Sequence, residues 1–154
     1  MAERFESVEA VLDFAIAGEI EANLFYRDLA AKATVPAMKQ AFLEFAREEA
    51  AHQAKLEAVR QGNLSFGAGA AGKVQSLGLA DYLVASVPKA DMTYAEALIL
   101  AMKKEKAAYK LYMDLATVAE AEELTDLFLS LAAEEAKHKL RFEIEYDDVI
   151  LKED

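Results

Sequence analysis

Four long stretches of the chain repeat apolar residues at intervals of three and four, the spacing of one helix face. In the first, Val8, Leu12, Ala15, Ile16, Ala22, Tyr26 and Leu29 predict a helix that starts at Glu6 or Ser7 and runs to about Ala33. Thr34-Val35-Pro36 breaks it, because the residue before a proline is pushed out of the helical region. The second stretch predicts a helix from about Pro36 to Gln61 on the stripe Phe42, Phe45, Ala46, Leu56 and Val59, with Gly62 placed to end it. Thr93 is the expected N-cap of a third helix, and Glu96 completes a capping box; this helix reads to about Ala119. The fourth reads from Glu122 to Tyr146, and the polar tail 147–154 is expected to be partly loose.

Connection lengths set the topology. The joints inside 7–61 and inside 93–146 are short, so each pair of helices is an antiparallel hairpin. Residues 62–92 separate the hairpins. Gly62, Gly67, Gly69, Gly72 and Gly78 mark 62–78 as loop, and Leu79–Val87 reads as a short helix stopped by Pro88. A helix of about 25 residues is about 37 Å long. The connection is long enough to return along that length. The expectation is a single all-α domain over 1–154: a four-helix bundle of two antiparallel hairpins joined by one long crossover, the ferritin-like arrangement.

The hairpins repeat one another. Aligning 15–57 with 101–143 needs no gap and pairs Ala15 with Ala101, Tyr26 with Tyr112, Phe42 with Phe128, Ala46 with Ala132 and Glu48 with Glu134. The same register, 86 positions apart, pairs Glu19 with Glu105, Glu49 with Glu135 and His52 with His138. The chain has 2 histidines, and both lie in this pattern, each three residues after a glutamate. On a helix, positions i and i+3 share a face, so each Glu-x-x-His offers a carboxylate and an imidazole to one point.

All six residues interrupt apolar stripes. Glu19 lies among Leu12, Ala15, Ala22 and Tyr26; Glu105 among Leu98, Ala101 and Tyr112; the two Glu-x-x-His pairs among Phe42, Leu56, Phe128 and Phe142. Glu48 and Glu21, by contrast, read as facing solvent. Burying a bare carboxylate costs several kcal/mol, roughly. No Lys or Arg lies on these stripes to compensate, but two divalent cations would neutralise four such groups. Carboxylates with one imidazole per ion suit iron or manganese, with zinc as another occupant. Tyr26 and Tyr112, two turns beyond Glu19 and Glu105, are placed to hydrogen-bond a ligand carboxylate, to serve as nearby one-electron donors, or simply to fill the core.

Composition narrows the field. With no Cys, the chain can form neither disulfides nor cysteine-held zinc or iron–sulfur centres. A net charge of −11 without a basic stripe argues against nucleic acid and anionic membrane surfaces. No apolar run approaches the roughly 20 residues of a membrane span. No secretion signal is evident either, so the cytoplasm is the expected location.

From about Val8 to Tyr146 the chain resembles the rubrerythrin family of the ferritin-like superfamily, through Ala17-Gly18-Glu19 with Tyr26, Glu49-x-x-His52, Glu105 with Tyr112, and Glu135-x-x-His138. The resemblance implies a di-iron site with Glu19, Glu49, His52, Glu105, Glu135 and His138 as ligands, and with Glu49 and Glu135 bridging. It implies an oxidoreductase that reduces hydrogen peroxide or dioxygen. It also implies a homodimer, in which the long connection would permit hairpin exchange. Two departures qualify it. Without Cys the chain resembles the short members that lack the rubredoxin-like domain, so electrons must come from an external donor such as a rubredoxin-like protein. Ala108 stands where family members often carry an extra glutamate associated with peroxide reactivity, which leaves a more symmetric site. That symmetry supports the alternative of an iron-binding ferroxidase for storage or handling.

Overall fold

The computed structural model describes residues 4–62, 66–84 and 91–153. Four long helices dominate it: α1 (Val8–Lys32), α2 (Pro36–Arg60), α4 (Tyr94–Val118) and α5 (Glu122–Glu153), with a short α3 (Ala70–Gln75) in the connection. Their ends follow local chemistry. Ser7 caps α1 by accepting from the Ala10 amide at 3.0 Å, and Pro36 occupies the first turn of α2, where its missing N–H costs nothing. Thr93 and Glu96 form the reciprocal capping box at the start of α4. Gly62 follows α2 at φ +89°, a left-handed conformation that favours glycine.

Helix α1 packs along α2 and α4 along α5. Side-chain contacts set the sense of the remaining pairs. Met38 meets Arg141 and His52 meets Glu134, so α2 and α5 run antiparallel. Tyr112 meets Glu19 and Lys104 lies over Phe25, so α1 and α4 do too.

The interior is two apolar clusters with a polar layer between them. Val11, Leu12, Leu56, Leu115, Phe128 and Leu131 belong to one cluster; Tyr26, Leu29, Phe42, Leu98 and Phe142 belong to the other. Each fully buried side chain of this size contributes about 1.5–3 kcal/mol by leaving water. The two clusters hold the bundle from either end, so the middle can accept groups that do not stabilise it.

The connection and the C-terminus differ from expectation. The glycine-rich segment contains α3, because Ala70 and Val74 lie four apart and bury against the first cluster. Leu79–Tyr82 forms a 3₁₀ turn rather than the start of an α-helix, and the chain is extended at Leu83; residues 85–87 of the expected helix, and the proline expected to stop it, lie outside the described residues. The connection is clasped to the α4–α5 joint where the Glu120 amide donates to the Phe66 carbonyl at 2.9 Å and the Gly69 amide to the Glu120 carboxylate at 3.0 Å. The segment expected to be a loose tail continues α5 to Glu153. Tyr146 and Val149, three apart, pack on the second cluster and carry the helix on.

Candidate metal centre

Each of the four long helices contributes to the polar layer. Glu19 comes from α1, Glu49 and His52 from α2, Glu105 from α4, and Glu135 and His138 from α5, and none is more than 3% exposed. The structure brings all six together. One donor atom from each of Glu19, Glu49, His52 and Glu135 lies within 4.8 Å of the others, and the same holds for Glu49, Glu105, Glu135 and His138. The two groups share Glu49 and Glu135. Glu49 Oε1 lies 3.3 Å from His52 Nδ1 and 3.5 Å from His138 Nδ1. Among the described residues these are the groups of His and carboxylate side chains close enough to hold a metal ion.

The outer nitrogens of both imidazoles are fixed across the hairpin interface. His52 Nε2 bonds to the Glu134 carboxylate and His138 Nε2 to that of Glu48. The reading of Glu48 as simply solvent-facing is therefore corrected: Glu48 and Glu134 are part-exposed, yet each orients a ring of the opposite hairpin. A neutral imidazole that donates from Nε2 presents a lone pair at Nδ1. That lone pair points inward, with Glu135 Oε1 at 3.0 Å from His52 Nδ1. Acceptor faces acceptor there, and either a proton or a cation must sit between them.

The electrostatics repeat this demand. Burial pushes the Glu49 carboxyl well above its ordinary range, and the charges of Glu135 and Glu19 push it further. Burial first, and then the Glu105 charge, raises Glu135 likewise, and burial raises Glu105. His52 moves to about 11: burial lowers it, but its contacts with Glu135 and Glu19 more than reverse this. Burial also works on Glu134, but its bond to His52 outweighs that and holds it below the ordinary carboxylate range. The cluster thus keeps protons or takes cations.

One donor atom on every member of the cluster is buried without a hydrogen-bond partner: Glu19 Oε2, Glu49 Oε1, His52 Nδ1, Glu105 Oε2, Glu135 Oε1 and His138 Nδ1. Buried polar atoms are rarely left unpaired. Six orphaned donors converging from four helices fit a pair of metal ions.

The tyrosines behave differently. Tyr112 donates to Glu19 Oε1, across the hairpin interface. The Tyr26 hydroxyl is fully buried with no partner, its ring edge-on to His138 with centroids 6.3 Å apart. A cavity of about 290 Å³ reaches Tyr26 and the four carboxylates, lined by α1, α4 and the connection residues Tyr82, Leu83 and Val84. Nothing in the hydrophobic pattern announced it. Its signal was the run of small residues Ala17, Gly18, Ala107 and Ala108 that line it.

Comparisons with known proteins agree with this geometry. The family model described as Rubrerythrin matches residues 10–65 and 96–154. A hypothetical protein from Pyrococcus furiosus superposes with a TM-score of 0.70 at 27% identity, over 92% of this chain and 89% of that one. A protein from Thermotoga maritima described as ferritin-like and diiron-carboxylate superposes with a TM-score of 0.78 at 23% identity, over 96% of this chain and 99% of that one, which establishes the ferritin-like fold. A search of curated proteins finds no match. With the family model covering both hairpins and the crossover bundle reproduced in solved structures, the chain is a member of the rubrerythrin family.

Proposed function

We propose that the chain is a di-iron oxidoreductase that reduces hydrogen peroxide or dioxygen, with Glu19, Glu49, His52, Glu105, Glu135 and His138 as its metal ligands. The carrying observation is the set of six buried donors without partners, grouped into two overlapping ligand sets. The Thermotoga maritima protein of the same fold is described as diiron-carboxylate, which supports iron over manganese or zinc. The chemistry an iron pair supplies when bound is two electrons, one from each ferrous ion, to the O–O bond of the oxidant.

The chain's own residues do the rest. Glu49 and Glu135 belong to both ligand sets, so each would serve both ions. Glu48 and Glu134 lock the imidazole tautomers and aim Nδ1 inward. Tyr112 steadies Glu19, while the free Tyr26 hydroxyl is available to donate a proton or hydrogen bond at the same layer. The apolar clusters close the layer at both ends, which leaves the cavity between α1 and α4 as the way in. With no Cys in the chain, electrons would return from an external donor such as a rubredoxin-like protein.

The near-symmetry of the ligand sets, each three glutamates and one histidine, favours a second reading as an iron-handling ferroxidase. Iron-loaded, reduced protein mixed with excess hydrogen peroxide separates the two. Consumption of many equivalents per chain with a reductant present supports the reductase. A single stoichiometric oxidation followed by uptake of further iron supports handling. Iron binding without any oxidation by peroxide or dioxygen contradicts both.

A further inference from the structure

The cavity is roomier than its proposed oxidants need, although its inner end, among Glu19, Glu49, Glu105 and Glu135, would also hold the metal pair. A water molecule takes up about 30 Å³ in the liquid, and an engineered apolar cavity of about 150 Å³ holds benzene. Peroxide or dioxygen needs the room of one or two waters, yet the cavity measures about 290 Å³. Short side chains keep it open. A Cβ built on Gly18 meets nothing within 4 Å, and Ala22, Ala107 and Ala108 face the same space. Glycine inside a helix is less favourable than alanine, so Gly18 keeps space at this wall at some expense to the helix. The walls are mainly apolar, and the inner end meets the four carboxylates and the unpartnered Tyr26 hydroxyl.

Lysines gather at the outer end. Lys104 lines the cavity itself, its ammonium 5.7 Å above the Phe25 ring, and the exposed Glu21 lines it too. Lys103, Lys106 and Lys110 line an adjoining recess of about 250 Å³ that also includes Asp81. Leu83, Val84 and Ala107 form walls of both spaces. Lys110 is committed to Asp114 at 2.9 Å. Among the described residues Lys103 and Lys106 make no ion pair. A solvated helix face would explain one or two lysines. With Lys110 spent on Asp114, Lys103, Lys104 and Lys106 still place three positive charges within four residues on a chain of net charge −11, a local positive field at the cavity mouth. The first hairpin makes no such field, for its matching positions are Ala17, Gly18, Ile20 and Leu24.

We propose that this cavity binds an amphipathic organic anion, its charged head held by Lys103, Lys104 and Lys106 and its apolar chain running inward to the carboxylate layer. The lysines set the orientation: with two divalent cations bound the four inner glutamates carry no net charge, so the positive charge that draws an anionic head lies at Lys103, Lys104 and Lys106. Binding itself stands on the cavity. That the bound molecule is a substrate presented to the centre rests on the di-metal reading above.

The experiment is calorimetric titration of the metal-loaded full chain with sodium decanoate below its micelle concentration, with metal content measured on the same samples. One saturable site per chain is expected. Lys103→Gln with Lys106→Gln should weaken it about tenfold, the loss of charge-assisted hydrogen bonds, and 1-decanol should bind wild type no better than decanoate binds that variant. Gly18→Leu, which the open space accommodates, should weaken decanoate by occlusion while leaving metal content unchanged. Decyl phosphate in place of decanoate identifies the head: tighter binding by either supports the inference and names the group. Absence of saturable binding, or affinity unmoved by both the lysine and the glycine variants, overturns it. Two metals per chain with no decanoate site sinks this inference alone. A decanoate site in a chain that takes up no metal sinks the ligand assignment and leaves the cavity standing.

Discussion

In the first hairpin, positions 17, 18, 20 and 24 are Ala, Gly, Ile and Leu; 86 positions later the second hairpin carries Lys103, Lys104, Lys106 and Lys110. Inside the bundle the same register preserves Glu, Glu and His. The hairpins are alike where they face each other and unlike where they face outward. Matched donors serve a centre that lies between the copies, and that requirement binds both equally. The outer faces carry no such shared requirement, and lysines have gathered on one of them alone. The tyrosines show the same divergence within the core: Tyr112 is spent on Glu19, whereas Tyr26 keeps its hydroxyl free on the cavity wall.

If the shared interior is a ligand set, removing Glu49 or Glu135 should damage both metal positions, while removing Glu19 or Glu105 should damage one. Metal analysis of Glu49→Ala should show loss of both ions, against retention of one in Glu19→Ala. Thermal melts should lose the metal-dependent stabilisation, about 2.7 kcal/mol at free metal a hundredfold above Kd. The sign reverses without metal. Glu49→Gln should raise the melting temperature of the metal-free chain, because the amide is neutral without taking up the proton that the buried glutamate must hold.

The next effect concerns the outer shell of the rings. Glu48→Gln and Glu134→Gln should each lower metal affinity about 10–100-fold, the usual cost of losing a carboxylate that orients a ligating histidine. Equal losses would sustain the symmetry of the interior, and a strongly unequal pair would break it.

The tyrosines should be unequal. Tyr112→Phe leaves a buried Glu19 oxygen without its donor and should destabilise the metal-free fold by about 1–3 kcal/mol. Tyr26→Phe removes a hydroxyl that has no partner and should stay within about 0.5 kcal/mol. Denaturant melts of the two variants side by side check this.

The gentlest test is pH. Glu49, Glu105 and Glu135 have folded pKa values raised above the ordinary 4.5, so in the metal-free fold they keep protons that the unfolded chain has lost. His52, raised from 6.5 to about 11, acts in the same direction: its contribution is full below 6.5 and is lost as pH climbs through about 11. The stability of the metal-free chain should therefore fall as pH rises above 4.5. Metal displaces these protons, so loading should flatten the slope and release protons measurable in weakly buffered solution.

Much of this was legible in the sequence, for physical reasons. Long amphipathic helices announce themselves by period, and their starts at Ser7, Pro36 and Thr93 by residue type. The six polar residues stood out because they interrupt otherwise apolar stripes. Glu48 and Glu134 did not, because they sit part-exposed at the stripe's edge, where a carboxylate needs no explanation. Their repetition at matched positions was the available clue. Helix α3 was hidden by glycines, since tertiary burial of Ala70 and Val74 decides it rather than propensity. The last turns of α5 were hidden by acidic residues around Val149. The divergence of Tyr26 from Tyr112 depends on distances between hairpins, which no local pattern encodes.

Anomalous diffraction at the iron edge from iron-loaded crystals tests the central claim most directly. Two peaks per chain are predicted, one among Glu19, Glu49, His52 and Glu135 and the other among Glu49, Glu105, Glu135 and His138. No peak in that layer, or density confined to surface carboxylates while the six side chains keep their places, would contradict it.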